Sequence, residues 1–122
     1  TEAGPVTIST AETTVLDLVE APERAAGLGN VANVLGEFVL DHRLDVAALA
    51  AAASRYPRTV VQRAGWLLRH MSTELDHHLD LTRLEPLVDG ADYTALDLES
   101  GADGDRDLTW HVIENTEVEH DL

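Results

Sequence analysis

The sequence predicts an α+β domain in which several short helices pack on a small mixed sheet made from one early and two late strands. Apolar residues at helical spacing fill most of the chain up to Met71 and predict helices. Alternating apolar and polar residues near the start and near the end predict short strands. Residues 1–122 contain no long linker and no internal repeat, so we expect a single domain.

The beginning of the chain predicts a strand followed by a helix. Pro5–Ile8 alternates and predicts an edge strand, since proline cannot donate a backbone hydrogen bond. Ser9 predicts the N-cap of the helix, and Glu12 completes a capping box. The residues expected to face the core are Val15, Leu16, Leu18 and Val19. Asp17 lies among them, either as a catalytic carboxylate or, as we favour, as a solvated acid, and Pro22 ends the helix.

Two further helices are predicted in the middle of the chain. The first has a core stripe at positions i, i+3, i+4, i+7 and i+8, formed by Val31, Val34, Leu35, Phe38 and Val39. Asn30 predicts its cap, and the helix is expected to end near His42–Arg43. Asp45 predicts the N-cap of an alanine-rich helix, from Val46 to about Ser54, whose small side chains let neighbours approach closely.

A fourth helix is predicted from Arg58 to about Met71, because Pro57 is tolerated just before a first turn. On a wheel of about 100° per residue, its core arc consists of Val60, Val61, Ala64, Leu67, Leu68 and Met71. The opposite side, which we call the Arg/Trp face, consists of Arg58, Gln62, Arg63, Trp66, Arg69 and His70.

The second half of the chain predicts shorter elements. Residues 75–90 predict one or two short helices, with these candidates for burial: Leu79, Leu81, Leu84 and Leu87. Tyr93–Leu98 and Leu108–Ile113 predict the two late strands, separated by the polar turn segment Glu99–Asp107. In the last strand, one face is expected to carry Leu108, Trp110 and Val112.

Residue usage excludes several kinds of function. The chain has no lysine, which excludes a P-loop, the usual kinase fold and Schiff-base chemistry. It has no cysteine, which excludes disulfides and thiolate chemistry and fits a reducing, cytoplasmic location. We see neither a signal peptide nor an apolar stretch long enough to cross a membrane, so no membrane partner is expected.

The net charge of −15 is unevenly distributed along the chain. Residues 1–72 hold 8 acids and 6 arginines, a net charge of −2, whereas residues 73–122 hold 15 acids and 2 arginines, a net charge of −13. Such a domain repels nucleic acid at long range. Residues 46–73 contain no acid, so this segment is the expected route for any contact with nucleic acid.

The acidic loop near the end of the chain resembles a calcium-binding loop in part. Asp103, Asp105, Asp107 and Glu114 occupy positions 1, 3, 5 and 12 of the calcium-loop template, but Leu108 replaces the glycine at position 6. The flanking segments are predicted as strands, whereas the template requires helices. We therefore expect an acidic hairpin loop rather than a calcium site.

Other patterns for metal binding and catalysis are incomplete. His77 and His78 are adjacent and point in different directions on a helix, which disfavours the usual metal-binding pair. The sequence has no G-x-S-x-G element that would support a Ser–His–Asp site. We predict no catalytic residue, no metal site and no cofactor.

The Arg/Trp face is the candidate contact surface for a partner or for nucleic acid. Guanidinium groups bind phosphates bidentately and stack on aromatic rings, which suits nucleotides and the nucleic-acid backbone. The alternative is that the acids of residues 73–122 pair with these arginines and cover Trp66, and the charge distribution favours it. The two alternatives differ in whether this face is exposed.

Three segments together resemble the C-terminal domain of AbiEi-type antitoxins, which belong to type IV toxin–antitoxin systems and are described as transcriptional regulators of phage defence. The segments read STAETTVLDLVEAPERAAGLGNVANVL, YPRTVVQRAGWLL and LTWHVIENTEVEHDL. The resemblance covers nearly the whole chain in order.

This resemblance implies a non-enzymatic domain that carries antitoxin activity and assists cooperative operator binding by an N-terminal winged helix, for which we see no counterpart in this sequence. It also implies a nucleotidyltransferase-like toxin that is counteracted without a stable complex, and operator DNA bound through the full-length protein. The net charge departs from what direct DNA contact requires. One alternative is a structural or homo-oligomerisation module without a ligand, and another is an enzyme acting on nucleotides.

Overall fold

The computed structural model describes residues 10–101 and 103–122 as a set of helices followed by a small sheet. The α-helices are α1 (Ala11–Glu20), α2 (Leu28–Leu40), α3 (Val46–Ala53) and α4 (Arg58–Glu74). Single 3₁₀ turns occupy Pro22–Ala25 and Glu85–Val88. The strands are β1 (Thr94–Ala95), β2 (Asp105–Asp107) and β3 (Val112–Glu114).

The sheet is mixed, with β3 at its centre. β3 pairs in parallel with β1 and antiparallel with β2, so that Ile113 lies opposite both Ala95 and Arg106. The predicted α+β class with a small mixed sheet is therefore confirmed. The strand predicted at Pro5–Ile8 lies outside the described residues, and the described strands all come from the last third of the chain.

The helix α4 is the central element of the fold. It packs against α1, α2, the turn Glu85–Val88, β1 and β3. The core arc predicted for it is confirmed, since all of its members are buried: Val60, Val61, Ala64, Leu67, Leu68 and Met71. Burying one large aliphatic side chain contributes about 1.5–3 kcal/mol. The helix extends to Glu74, beyond the predicted end at Met71.

The helix α1 begins with a capping box that differs from the predicted Ser9–Glu12 pair. The Thr10 hydroxyl accepts a hydrogen bond from the Thr13 amide, and the Thr13 hydroxyl accepts one from the Thr10 amide, each at 3.1 Å. Glu12 is instead buried, and its carboxylate accepts a hydrogen bond from the Asp45 amide at 2.9 Å. It therefore joins α1 to the start of α3.

The starts of α2 and α3 have different causes. The prediction that Asn30 caps α2 is wrong, because the helix begins at Leu28 after Gly27, whose φ of 116° is a conformation that favours glycine. The predicted N-cap of α3 is confirmed, since the Asp45 carboxylate accepts hydrogen bonds from two first-turn amides at 3.0 and 3.3 Å.

The predicted core stripes of α1 and α2 are confirmed at most positions. The buried members are Val15, Leu16, Val19, Val31, Leu35 and Val39. Leu18, Val34 and Phe38 are only half-buried, because they lie at the edges of these stripes. The helix α2 ends at Leu40, before the predicted end near His42–Arg43.

The last strand is shorter than predicted, because residues 108–111 form a turn. The Asp107 carboxylate accepts a hydrogen bond from the Trp110 amide at 2.7 Å, and His111 has a φ of 55°. This positive φ breaks the strand alternation. As a result, Leu108 is 76% exposed although Trp110 is buried.

Three other predictions for the second half need correction. The segment Glu99–Asp107, predicted as a turn, contains β2 at its end, where the backbone pairs with β3. The strand predicted over Tyr93–Leu98 is reduced to Thr94–Ala95. Leu87 is exposed on its short 3₁₀ turn, whereas the other candidates for burial are buried or half-buried: Leu79, Leu81 and Leu84. Among the described residues, none of the helices has the length and apolar character that a membrane crossing needs.

Candidate functional site

The sheet covers the centre of the Arg/Trp face and leaves its ends accessible. Gln62, Arg63 and Trp66 retain 1%, 5% and 6% of their exposure. Arg69 and His70 are half-buried, and Arg58 is exposed. Since α4 packs against β1 and β3, the cover over Gln62 and Trp66 comes from the acidic second half of the chain, whereas Arg63 lies between α1 and the loop after β1. The structure therefore brings the six predicted residues together on one helix but exposes them unequally.

Gln62 connects α4 to the residues just before β1 and β3, the two strands of the parallel pair. Its side-chain amide donates hydrogen bonds to the carbonyl of Asp92 at 2.8 Å and to the carbonyl of His111 at 3.0 Å. The His111 carbonyl also accepts a hydrogen bond from the Thr94 amide at 3.0 Å. One buried polar side chain thus fixes the position of the sheet on the helix.

Trp66 uses both its ring face and its N–H group within the domain. The indole Nε1 donates a hydrogen bond to the Glu114 carboxylate at 2.7 Å. The ring stacks on His70, with ring centroids 5.0 Å apart and an angle of 12° between the planes. A partner cannot stack on this indole unless Glu114 and β3 move away.

Arg69 is paired with an acid of the second half. Its guanidinium donates a hydrogen bond to Asp107 Oδ1 at 2.6 Å, while the other oxygen of this carboxylate accepts the Trp110 amide. The Arg69 side chain remains 38% exposed. At Trp66 and Arg69, the structure therefore shows the expected alternative in which acids of residues 73–122 occupy the face.

Arg63 lines a cavity of about 590 Å³ between the end of α1 and the loop after β1. Burial lowers the pKa of its guanidinium, and the nearby Glu20 carboxylate partly offsets this effect. An arginine remains charged in proteins even so. The acids that line the same cavity are Glu20, Glu23, Asp97 and Glu99.

Sequence reasoning missed these acids as members of one site. They come from the C-terminal end of α1, the following 3₁₀ turn and a loop more than 70 residues later, so no local spacing relates them. The Asp97 side chain is held by the Ser100 hydroxyl at 2.5 Å and the Glu99 amide at 3.0 Å. These hydrogen bonds lower the pKa of Asp97 and keep it ionised.

The exposed arginines of the acid-free segment, residues 46–73, lie where α3 meets α4. Arg55 and Arg58 are exposed, and Arg58 lines a shallow groove of about 190 Å³ together with Tyr56 and Leu87. Arg58 makes no hydrogen bond or ion pair with residues 10–101 or 103–122. It is the exposed member of the Arg/Trp face, since the others are buried or half-buried.

The acids of the calcium-loop template serve other contacts. Asp107 and Glu114 are hydrogen-bonded to Arg69 and Trp66, and Asp105 belongs to β2. Within the described part of the chain, no three histidine or acidic side chains converge in a way that could hold a metal ion.

Asp17 has a structural contact that the sequence did not predict. Its carboxylate accepts a hydrogen bond from the Tyr56 hydroxyl at 2.6 Å, which joins α1 to the α3–α4 connection. This hydrogen bond, with burial and the negative charge of Asp17, raises the pKa of Tyr56 to about 12. The contact accounts for an acid within an apolar helix face.

We expect Asp17→Asn to lower the pKa of Tyr56 toward the ordinary tyrosine value of about 10. The folded-state pKa is about 12, above the unfolded value, so the stabilisation is complete below pH ~10 and is lost as pH rises through 12. Absorbance titration of phenolate in a Tyr93→Phe background, with one tyrosine left, measures this pKa. An unchanged pKa in Asp17→Asn would show that another group holds the phenol proton.

Comparison with known proteins identifies the family. The model of the AbiEi antitoxin C-terminal domain family matches residues 1–70, which is more than half of the chain. A search of curated proteins gives no significant match. A search of solved structures gives none either. The matched segment contains α1, α2, α3 and most of α4, and the chain belongs to the AbiEi antitoxin C-terminal domain family.

Proposed function

We propose that this chain is a non-enzymatic antitoxin and transcriptional-regulator domain that acts in the cytoplasm. In this proposal it counteracts a nucleotidyltransferase-like toxin without forming a stable complex with it. It also assists cooperative operator binding by a winged-helix domain of the full-length protein. Membership of the AbiEi antitoxin family is the observation that carries the proposal.

The described contacts support two different roles within the Arg/Trp face, one structural and one in binding. Gln62 and Trp66 hold the sheet on α4 through their hydrogen bonds, so they act as structural residues. Arg58 remains exposed, and Arg55 extends the exposed positive charge from the end of α3. We propose that these two arginines contact the partner or the DNA backbone, with Arg69 and His70 at the edge of the contact.

The acidity of the domain limits how it can contact DNA. With a net charge of −15, its long-range field repels phosphates. A phosphate contact must therefore be short-range and tied to a second contact that brings the surfaces together. Operator binding through another domain of the full-length protein would supply that second contact.

We expect the double variant Arg55→Glu/Arg58→Glu to lose rescue of toxin-expressing cells, or to lose operator cooperativity in the full-length protein. If cooperativity is lost, the protein concentration at which the operator is half occupied should rise about ten-fold. A change of this size corresponds to a coupling free energy in the usual range. Cell survival and a gel-shift titration on a two-site operator measure the two effects. Circular dichroism checks the fold.

The matched control is Arg24→Glu/Arg83→Glu, which reverses two exposed arginines elsewhere and changes the net charge by the same amount. It should keep both rescue and cooperativity. Equal behaviour of the two double variants would contradict a contact role for Arg55 and Arg58. The pair Arg63 and Arg69 is less suitable for this test, because one is buried and the other is bonded to Asp107.

A structural or homo-oligomerisation module is the alternative function. Two described features favour it: α3 exposes Ala47, Ala48 and Ala51, and the turn after β2 exposes Leu108. Small side chains allow helices to approach closely, and an exposed leucine gains from burial. Light scattering over a concentration series tests this function, and a monomer at every concentration would argue against it by excluding homo-oligomerisation.

A further inference from the structure

We propose that the cavity lined by Arg63 binds a small ligand that carries both a carboxylate and a cationic group, namely a basic amino acid, free or at the C-terminal end of a peptide. This site is separate from the exposed arginines of the proposed contact surface. Its two parts are a buried guanidinium inside the cavity and a set of carboxylates around it.

The buried guanidinium is the first part of the argument. Arg63 is 5% exposed, and no hydrogen bond or ion pair joins it to another residue of the ranges 10–101 and 103–122. Burying a charge is costly unless the charge is paired and hydrogen-bonded. A guanidinium offers five N–H donors in a planar fork that matches a carboxylate. A carboxylate entering the cavity would offer this fork two acceptor oxygens.

The carboxylates of the cavity are the second part. Glu20, Glu23 and Glu99 are exposed, and Asp97 is half-buried and held ionised by its hydrogen bonds. Four acids against one arginine make the cavity negative. A simple anion such as phosphate would be attracted by Arg63 but repelled by these acids. A ligand that also carries a positive charge meets both requirements.

The size and walls of the cavity fit a ligand of this class. Its volume of about 590 Å³ lies in the range of small-molecule sites, which is about 300–1,000 Å³. Leu28, Leu96 and the exposed Leu98 give the cavity wall its apolar surface. Such a wall suits the methylene chain of a lysine or an arginine, which packs on apolar surface while its charged end stays in water.

The first experiment compares ligands that differ by one group. L-arginine is titrated into the ¹⁵N-labelled chain beside agmatine, which lacks the carboxylate, and the chemical shifts of amides around the cavity are followed. We expect agmatine to bind at least about ten-fold more weakly, since a hydrogen bond to a charged group contributes about 1.5–3 kcal/mol. Equal binding of both compounds would overturn the proposal, because the cavity would then select cations alone.

The second comparison separates the two sources of the ligand. The dipeptide alanyl-arginine is titrated beside its C-terminal amide. Tighter binding of the dipeptide than of free arginine assigns the site to peptide ends, and the reverse assigns it to the free amino acid. The amide should bind about ten-fold more weakly than the dipeptide for the same physical reason as agmatine. If neither arginine nor alanyl-arginine binds saturably, the proposal is wrong.

Variants of the cavity complete the test. Glu23→Gln/Glu99→Gln removes two exposed charges and should weaken binding about five-fold, since each exposed ion pair contributes roughly 0.5 kcal/mol. The control Glu37→Gln neutralises an exposed acid on α2, outside the cavity, and should leave binding unchanged. Unchanged binding in the Glu23→Gln/Glu99→Gln variant would contradict the proposal. Both residues are exposed, so the substitutions should leave the fold intact.

Arg63→Gln tests the carboxylate contact directly. We expect it to bind L-arginine and agmatine with equal affinity, because the group that distinguishes them is gone. Its fold is checked by circular dichroism before the titration. A folded Arg63→Gln chain that still prefers L-arginine to agmatine would show that another group holds the carboxylate.

Discussion

Gly65→Ala will destabilise the domain by about 2 kcal/mol or more, although alanine is the better helix former. In the middle of a helix, this change normally stabilises by about 1 kcal/mol. A Cβ atom at position 65 would overlap with Cε3 and Cζ3 of Trp110, which is only 1% exposed. Overpacking of this kind typically costs 1–3 kcal/mol and occasionally more.

Chemical denaturation with urea measures the free energy of unfolding of Gly65→Ala. A double-mutant cycle with Trp110→Leu provides the control. Trp110→Leu alone removes part of a large buried side chain and is itself destabilising. In that background, Gly65→Ala should cost much less, because the ring atoms that it meets are absent. A Gly65→Ala chain more stable than the parent would contradict the close approach of α4 to Trp110.

Gln62→Leu will destabilise the domain by about 2 kcal/mol. The change keeps the approximate volume but removes two hydrogen bonds, leaving the carbonyls of Asp92 and His111 without this donor. A hydrogen bond contributes about 0.5–1.5 kcal/mol net, and Gln62→Leu removes two of them, although Thr94 still donates to the His111 carbonyl. The Thr94 amide, which shares the His111 carbonyl, should exchange its hydrogen faster because the strand pair is held less firmly.

Thr59→Val is the control for Gln62→Leu. Thr59 is an exposed residue of the same helix, and substitutions at such positions usually change stability by less than about 0.5 kcal/mol. Urea denaturation and amide hydrogen exchange compare the two variants. If Gln62→Leu unfolds at the same urea concentration as Thr59→Val, the hydrogen bonds of Gln62 do not hold the sheet on α4.

The helices were predictable from the sequence because their determinants are local. The core arc of α4 follows from a rotation of about 100° per residue, and the structure buries every member of it. Asp45 could be recognised as a cap because its carboxylate bonds to amides in the next turn. These interactions join residues close in sequence, so spacing alone reveals them.

The sequence could predict that acids would cover the Arg/Trp face, but not which acids would do so. The difference in charge between the two halves indicated that acids would approach the arginines. It could not reveal that Asp107 binds Arg69 or that Glu114 binds Trp66, since these pairs are separated by 38 and 48 residues. Contacts at such distances depend on where the strands lie on α4.

Two errors in the second half have one physical cause. The alternation of Leu108–Ile113 indicated a strand, but the Asp107 side chain captures the Trp110 amide and the backbone turns. A polar side chain that bonds to nearby backbone competes with strand pairing. This capture exposes Leu108 and moves the start of β3 to Val112.

The cavity around Arg63 could not be predicted for a different reason. Its acids come from two segments that are more than 70 residues apart in the sequence.

The cover that residues 92–114 place on α4 has a consequence for dissecting this protein. The family match ends at residue 70, inside α4, which continues to Glu74. A fragment cut at that boundary would lose the end of its central helix and would expose Gln62 and Trp66 without their acceptors. The end of the family match is therefore not a folding boundary. Chimeras and truncations that exchange only the matched segment will separate α4 from the strands that pack on it.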